Sequence, residues 1–223
     1  MLLFCSYQAQ SQVLISLLFG DKLNSPGIEF GMEGGVNFSQ ISGLESSSRL
    51  PSFNLGFYFD IRINDPWYIY TGLLVKSKLG TNKLSPADLD FLGVDTYQAA
   101  GDYSQQFNYF IVPVLAKYKL KNNFYFEAGP QFGLMHKSWV EFNSDVDGED
   151  ARIRQYNKDM INRLDAGATA GIGYQLLKGK GMTLGVKYNQ GFVNVYKDRS
   201  GTQNSSFFLK ANIPIGAAKA ESK

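Results

Sequence analysis

Apolar and polar residues alternate with a period of two in eight separate segments of this chain. Successive side chains of a β-strand point to opposite faces, so this period predicts strands with one apolar and one polar face. The more apolar faces of these segments contain no Asp, Glu, Lys or Arg. The opposite faces carry twelve charged residues, namely Glu29, Glu33, Asp60, Arg62, Lys76, Lys78, Lys117, Lys119, Glu127, Asp165, Lys187 and Lys210.

Two kinds of β-barrel fit this pattern, and they differ in which face points outwards. A soluble barrel of the lipocalin kind keeps its apolar face inside, whereas a membrane barrel turns that face towards lipid. Strands of about 11 to 14 residues and aromatic residues at the strand ends favour the membrane barrel. So do short turns that alternate strictly with long loops. The turns are expected at 64–66, 121–123 and 178–181, and the loops at 40–52, 81–106, 138–162 and 193–205.

The sequence therefore predicts an all-β protein, an eight-stranded antiparallel up-and-down transmembrane β-barrel in the bacterial outer membrane. We expect the barrel over residues 28–216, a short N-terminal periplasmic or interfacial segment over 12–27 and a C-terminal tail over 217–223. Residues 1–11 combine an apolar run with the small-x-small triplet Ala9-Gln10-Ser11, which predicts the remainder of a signal peptide.

Composition excludes several functional classes. The formal net charge is +2 with both signs spread along the chain, so no basic stripe indicates nucleic-acid binding. Cys5 is the single cysteine and lies within the expected signal peptide, which argues against a disulfide framework or a cysteine-based metal site. No cofactor is predicted.

The interior of an eight-stranded barrel is just wide enough to be filled by side chains, which argues against an open pore. Charges on the inward face would be buried, and buried charges must be paired or hydrogen-bonded. The predicted lumen charge network consists of Glu29, Glu33, Asp60, Arg62, Lys76, Lys117, Glu127, Lys187 and Lys210. We expect this network to act as a plug that specifies the barrel, with a proton or ion path as the alternative.

Two weak candidate sites lie near the third long loop. His136, the single histidine, is close in sequence to Ser138 and Glu141, but sequence adjacency is poor support for a catalytic triad, and we expect no enzyme. Asn143, Asp145 and Asp147 partly match the start of a calcium-binding loop. Arg154 then stands where the bidentate glutamate of such a loop is required, which weakens the calcium hypothesis.

Three stretches resemble a family of outer-membrane β-barrels often called PorT-like. They are VLISLLFGDKLNSPGIEFGMEGGVNFS (13–39), YFIVPVLAKYKL (109–120) and FYFEAGPQFGLM (124–135). The resemblance implies an outer-membrane location, and the namesake's part in type IX secretion is one possibility that it raises.

We expect a structural or interaction component of an envelope assembly. Its partners would be outer-membrane lipid and envelope proteins bound through the outer loops or the N-terminal segment. The alternatives are a narrow transport or ligand-binding barrel and, with less support, a lipid-modifying enzyme.

Overall fold

A computed structural model of the protein describes residues 27–46, 48–146, 149–179 and 181–215. The predicted signal peptide (1–11), the N-terminal segment up to residue 26 and the tail (217–223) lie outside these ranges. None of the helices in the described ranges is long and apolar enough to cross a bilayer.

Strands dominate these ranges, and the helices are short. In chain order the elements are β1 (Ile28–Ile41), β2 (Ser48–Asn64), β3 (Trp67–Asn82), α1 (Pro86–Leu92), β4 (Asp102–Lys119), β5 (Phe124–Val146), β6 (Glu149–Tyr156), a 3-10 turn (Lys158–Met160), β7 (Leu164–Gln175), α2 (Leu176–Gly179), β8 (Thr183–Asn194) and β9 (Gln203–Pro214).

Eight of these strands form a closed antiparallel ring, which confirms the predicted barrel. The strands from β1 to β5 pair in chain order. Strand β5 also pairs with β7, which is followed in the ring by β8 and β9. Pairing of β9 with β1, from Gly31 opposite Pro214 to Ile41 opposite Asn204, closes the ring. Closure leaves the ring strands without a free edge inside the membrane, where unpaired backbone groups are not tolerated.

The outward-facing apolar side chains of the ring form a continuous surface that we call the apolar belt. Every ring strand contributes at least one large apolar side chain that is 37 to 53% exposed: Val36, Phe53, Leu73, Val112, Phe126, Ile172, Val186 and Leu209. Exposed apolar surface of this extent requires a non-aqueous surrounding. The soluble barrel, with its apolar face inside, does not describe this molecule.

The strands on one side of the ring are longer than the sequence predicts. Loop 81–106 shrinks because β3 ends at Asn82 and β4 begins at Asp102, and loop 138–162 contains the upper part of β5 together with β6. Polar residues such as Ser104, Gln105 and Gln106 occupy both faces here, so the alternation that identifies strands is absent. Within the described ranges β6 pairs only with β5, as a hairpin extension outside the ring.

A β-bulge in β3 reverses the predicted orientation of that strand's upper part. The register of β3 with β4 shifts between Leu74 and Ser77, so one extra residue exchanges the two faces above it. Leu79, above the bulge, is 4% exposed, whereas Lys76, predicted to face the lumen, lies exposed on the outside. The prediction for Lys76 was wrong because the sequence does not mark the extra residue.

Candidate functional site

The middle of the barrel holds a layer of buried charges. Six charged side chains, each at most 4% exposed, face the lumen: Glu33, Asp60, Lys117, Glu127, Lys187 and Lys210. They form three ion pairs with N–O distances of 2.6 to 2.8 Å, which join Lys187 to Glu33, Lys210 to Glu127 and Lys117 to Asp60. Lys119 lies 3.1 Å from the Asp60 carboxylate and reinforces the third pair. Each buried charge thus has an opposite partner, which low-dielectric burial demands.

Tyrosine side chains occupy the space between these pairs. The Tyr70 hydroxyl donates to the Glu33 carboxylate and accepts a hydrogen bond from Asn212 Nδ2 at 3.1 Å. The Lys210 ammonium lies 4.1 Å from the centre of the Tyr70 ring, and the Lys117 ammonium 4.3 Å from that of Tyr125. These cation–π contacts replace water around the ammonium groups. The layer is therefore one connected network.

Glycines on the inward face make room for the rings. A Cβ atom at Gly173 would lie 2.3 Å from the Tyr125 hydroxyl oxygen, and one at Gly31 would lie 2.5 Å from the Tyr58 ring. Only glycine allows the rings to lie flat against these strands. Sequence reasoning located the charges but missed this tyrosine and glycine packing, although both residue types stand on the polar faces of the predicted strands.

The remaining predicted members of the network lie at its margins or outside it. Glu29 is partly buried and accepts a hydrogen bond of 2.8 Å from the Tyr58 hydroxyl. Arg62 is exposed at the short-turn end and pairs with Asp65. Together with Lys76, which the bulge turns outwards, Arg62 does not belong to the buried network, so the prediction was wrong for both residues.

Above the charge layer, the long loops close the barrel with a second cluster that we call the cap. Its buried side chains come from the strands and the loops: Ile41, Leu74, Leu79, Leu84, Leu89, Leu92, Phe107, Tyr109, Ile111, Met135, Val140, Ile161, Val195, Tyr196 and Phe208. Phe91 of α1 packs edge-on against the Tyr196 ring at 5.1 Å. The lumen is thus filled by ion pairs and rings in its middle and by apolar side chains at its long-loop end.

Asp88 connects two long loops within the cap. Its buried carboxylate accepts hydrogen bonds from the backbone amides of Glu45 and Ser46, each at 3.0 Å, and of Ser85 at 3.2 Å. The Ser85 hydroxyl accepts in return from the Asp88 amide at 3.1 Å, which completes a capping box at the start of α1. One side chain therefore holds the first two long loops against each other.

Asp88→Ala is expected to loosen the cap while the barrel stays folded. Three amide donors lose their acceptor, and each unsatisfied buried donor costs about 1 to 3 kcal/mol. Limited digestion with chymotrypsin should then cleave faster at Phe91, with heat-modifiable gel migration of the barrel unchanged. Asp90→Ala, at an exposed position of the same helix, is the matched control and should not change the cleavage rate. Equal protection in both variants would contradict this role of Asp88.

The upper wall formed by β4, β5 and β6 carries a second polar group, centred on Glu141. Its carboxylate accepts hydrogen bonds from Arg154 Nε at 2.6 Å, Gln106 Nε2 at 3.0 Å and Trp139 Nε1 at 3.2 Å. Burial by itself raises the pKa of Glu141, but these hydrogen bonds and the Arg154 charge outweigh it and hold the pKa below its usual range. Glu141 therefore stays ionised and anchors the β5–β6 extension.

The residues of the triad hypothesis do not come together. The His136 ring stacks on the Phe110 ring of the lipid-facing side at 4.7 Å. Ser138 is buried in a separate network, where its hydroxyl donates to Asn157 Oδ1 at 2.6 Å, and Glu141 is engaged by Arg154. A catalytic triad needs nucleophile, base and acid in mutual contact, which this arrangement does not provide.

The calcium candidate lies on a β-hairpin. Asn143 pairs with Arg152 in the β5–β6 ladder, and its side-chain oxygen accepts from Arg152 Nε at 3.1 Å. The backbone of Asp145 continues the same ladder, whereas Asp147 lies outside the described residues. Over the described residues on either side, the extended and paired backbone differs from a loop that wraps around a calcium ion.

Comparison with known families identifies the chain. The sequence profile described as "Outer membrane protein beta-barrel domain" matches residues 8–197. The protein belongs to this outer-membrane β-barrel family. Its location is accordingly the bacterial outer membrane, so the apolar belt faces lipid and the short turns point to the periplasm. The cap and the β5–β6 extension then lie on the outer side.

Several solved outer-membrane barrels are similar to this family member at low sequence identity. Ail, the attachment invasion locus protein of Yersinia pestis, is 11% identical with a TM-score of 0.42, over 84% of this chain and 98% of Ail. Neisserial surface protein A is 12% identical with a TM-score of 0.42, over 85% and 98%. OprG from Pseudomonas aeruginosa is 13% identical with a TM-score of 0.34, over 86% and 95%. No curated protein sequence matches the chain.

Proposed function

We propose that this barrel is a structural or interaction component of an envelope assembly, without channel or enzymatic activity. The observation that carries the proposal is the filled lumen. Three buried ion pairs, the tyrosine rings and the cap occupy the space that a transported solute would need. A barrel that transports nothing through its interior acts through its surfaces. The β5–β6 extension lies outside the ring, and it is the surface at which we expect a partner to bind.

The free edge of β6 supports an interaction by strand addition. Within the described ranges β6 pairs on one side only, so its other edge offers backbone donors and acceptors above the membrane. Ile153 and Tyr156 add side chains that are 39% and 70% exposed. The partner that fits this edge is an extended segment of another envelope protein. The PorT-like resemblance gives this proposal its most specific form, a component of type IX secretion.

Site-specific photo-crosslinking in native membranes tests the proposal. A photoreactive residue at Ile153 or Tyr156 should give an adduct with one envelope protein, identified by mass spectrometry, while the same probe at Phe126 in the apolar belt should give lipid adducts. The protein adduct of a probe at Tyr156 should disappear in Ile153→Pro, because proline removes a ladder donor and disturbs the edge. Lipid adducts alone at all three positions would contradict an interaction at this edge.

A further inference from the structure

The bulge in β3 assembles a group of cations on the outer wall that we call the basic patch, formed by Lys76, Lys78, Lys137 and Arg154. Lys78 stands opposite Asn108 in the β3–β4 ladder, and Asn108 stands opposite Lys137 in the β4–β5 ladder. Lys78 and Lys137 therefore lie in one row across three neighbouring strands. Without the bulge, Lys76 and Lys78 would point into the lumen.

Trp139 connects the two halves of the basic patch. The Lys78 ammonium lies 5.6 Å from the centre of the Trp139 ring, and the Arg154 guanidinium lies 5.2 Å from it. Among the described side chains, Glu141 is the carboxylate that contacts this group, at 2.6 Å from Arg154. Asp102 belongs to a higher row, opposite Asn143 and near the tip of the extension. The basic patch thus has four positive charges and one engaged negative charge.

The cations of the basic patch repel one another. Lys78 lies two residues from Lys76 on β3 and shares the Trp139 ring with the Arg154 guanidinium, so these cations stand close together. Such a surplus of positive charge on a half-buried wall is stabilised when an anion binds.

The basic patch begins where the apolar belt ends. Val75 directly precedes Lys76 on β3, Phe110 lies two residues from Asn108 on β4, and both apolar side chains are exposed. A ligand that satisfies both surfaces carries anionic groups above acyl chains. A free phosphate ion would leave the apolar part of this arrangement unused.

We propose that the basic patch binds the phosphorylated headgroup of a lipid in the outer leaflet of the outer membrane. The phosphates contact Lys76, Lys78, Lys137 and Arg154, and the acyl chains lie along Val75, Phe110 and Leu134. The basic patch shares β6 with the proposed partner edge through Arg154, but its other three cations lie on β3 and β5, and binding of lipid requires no protein partner.

The experiment uses Trp139 as a reporter. Trp67 and Trp139 are the two tryptophans of the chain, so Trp67→Phe leaves Trp139 as the single emitter beside the basic patch. The purified full chain in a non-ionic detergent is titrated with lipid A that carries two phosphates. We expect a saturable change in emission whose apparent affinity falls as ionic strength rises. Lys76→Gln with Lys78→Gln should weaken binding at least about tenfold, because two charge-assisted contacts are lost.

Matched controls separate the possible sources of a signal. Lys121→Gln with Lys197→Gln removes the same charge at exposed positions away from the patch and should bind lipid A as the parent does. Heat-modifiable migration verifies that every variant is folded. Equal binding of dephosphorylated lipid A, complete competition by inorganic phosphate, or unchanged affinity in the Lys76 and Lys78 variant would each overturn the proposal.

Discussion

Lys187→Met is expected to lower the free energy of unfolding by about 3 to 5 kcal/mol, because it leaves the Glu33 carboxylate buried without its ion-pair partner. The two charged atoms are 2.7 Å apart, and their side chains are 4% and 1% exposed. Water cannot enter to solvate the remaining carboxylate. The loss of unfolding free energy is measured by urea unfolding of the protein in lipid vesicles, with gel migration of unheated samples as the readout.

The second half of this test removes both charges. Glu33→Gln combined with Lys187→Met should recover most of the lost stability, since replacing a buried pair by neutral groups is often close to neutral. Arg62→Gln is the surface control, because the Arg62 and Asp65 side chains are 50% and 68% exposed, and exposed pairs are worth about 0 to 1 kcal/mol. A double variant as unstable as Lys187→Met alone would show that packing, and not ion pairing, explains the effect.

Gly35→Ala is expected to prevent closure of the barrel. Gly35 has a φ of 153° and lies opposite Lys210, where β1 and β9 join the two ends of the ring. A Cβ atom here would lie 1.9 Å from the Leu209 carbonyl oxygen, a backbone atom that cannot move without breaking the ladder. Refolding into detergent or vesicles should yield little or none of the heat-modifiable form.

Gly34→Ala is the neighbouring control for this prediction. A Cβ atom at Gly34 would have Leu55 Cδ1 as its nearest neighbour, at 3.5 Å, which is an ordinary contact. We expect this variant to fold with nearly the parent yield. If Gly35→Ala folds equally well, β1 and β9 do not approach each other as closely at this position as the structure shows. The closure described here would then be wrong.

The ring could be predicted from the sequence because lipid on one side and packed charges on the other force alternation in every strand. Faces were assigned correctly wherever each strand has regular pleating, as for Lys117 in β4 and Lys187 in β8. The assignment of faces was wrong above Leu74, because one inserted residue exchanges the two faces of the strand. Nothing in the local sequence marks that extra residue. The same failure hid the basic patch, because two of its four cations, Lys76 and Lys78, were placed on the inward face.

The partners within the lumen could not be predicted, because they depend on distances across the ring. Lys187 reaches Glu33 on a strand 154 residues away in the sequence, and neither residue indicates the other. The cap is different, since the signal for α1 was present. Ser85 followed by Asp88 three positions later is a helix-start pattern that the apparent length of the loop concealed.

Single-channel recording in planar bilayers tests whether the lumen is a packed plug. The purified full chain, verified as folded by heat-modifiable migration, is inserted at neutral pH in 1 M salt. At that roughly molar ionic strength exposed charges are screened while buried pairs are not. A packed lumen should give no conductance steps above the lipid background. Steady, reproducible steps from the folded protein would contradict it and would favour the narrow transport barrel instead.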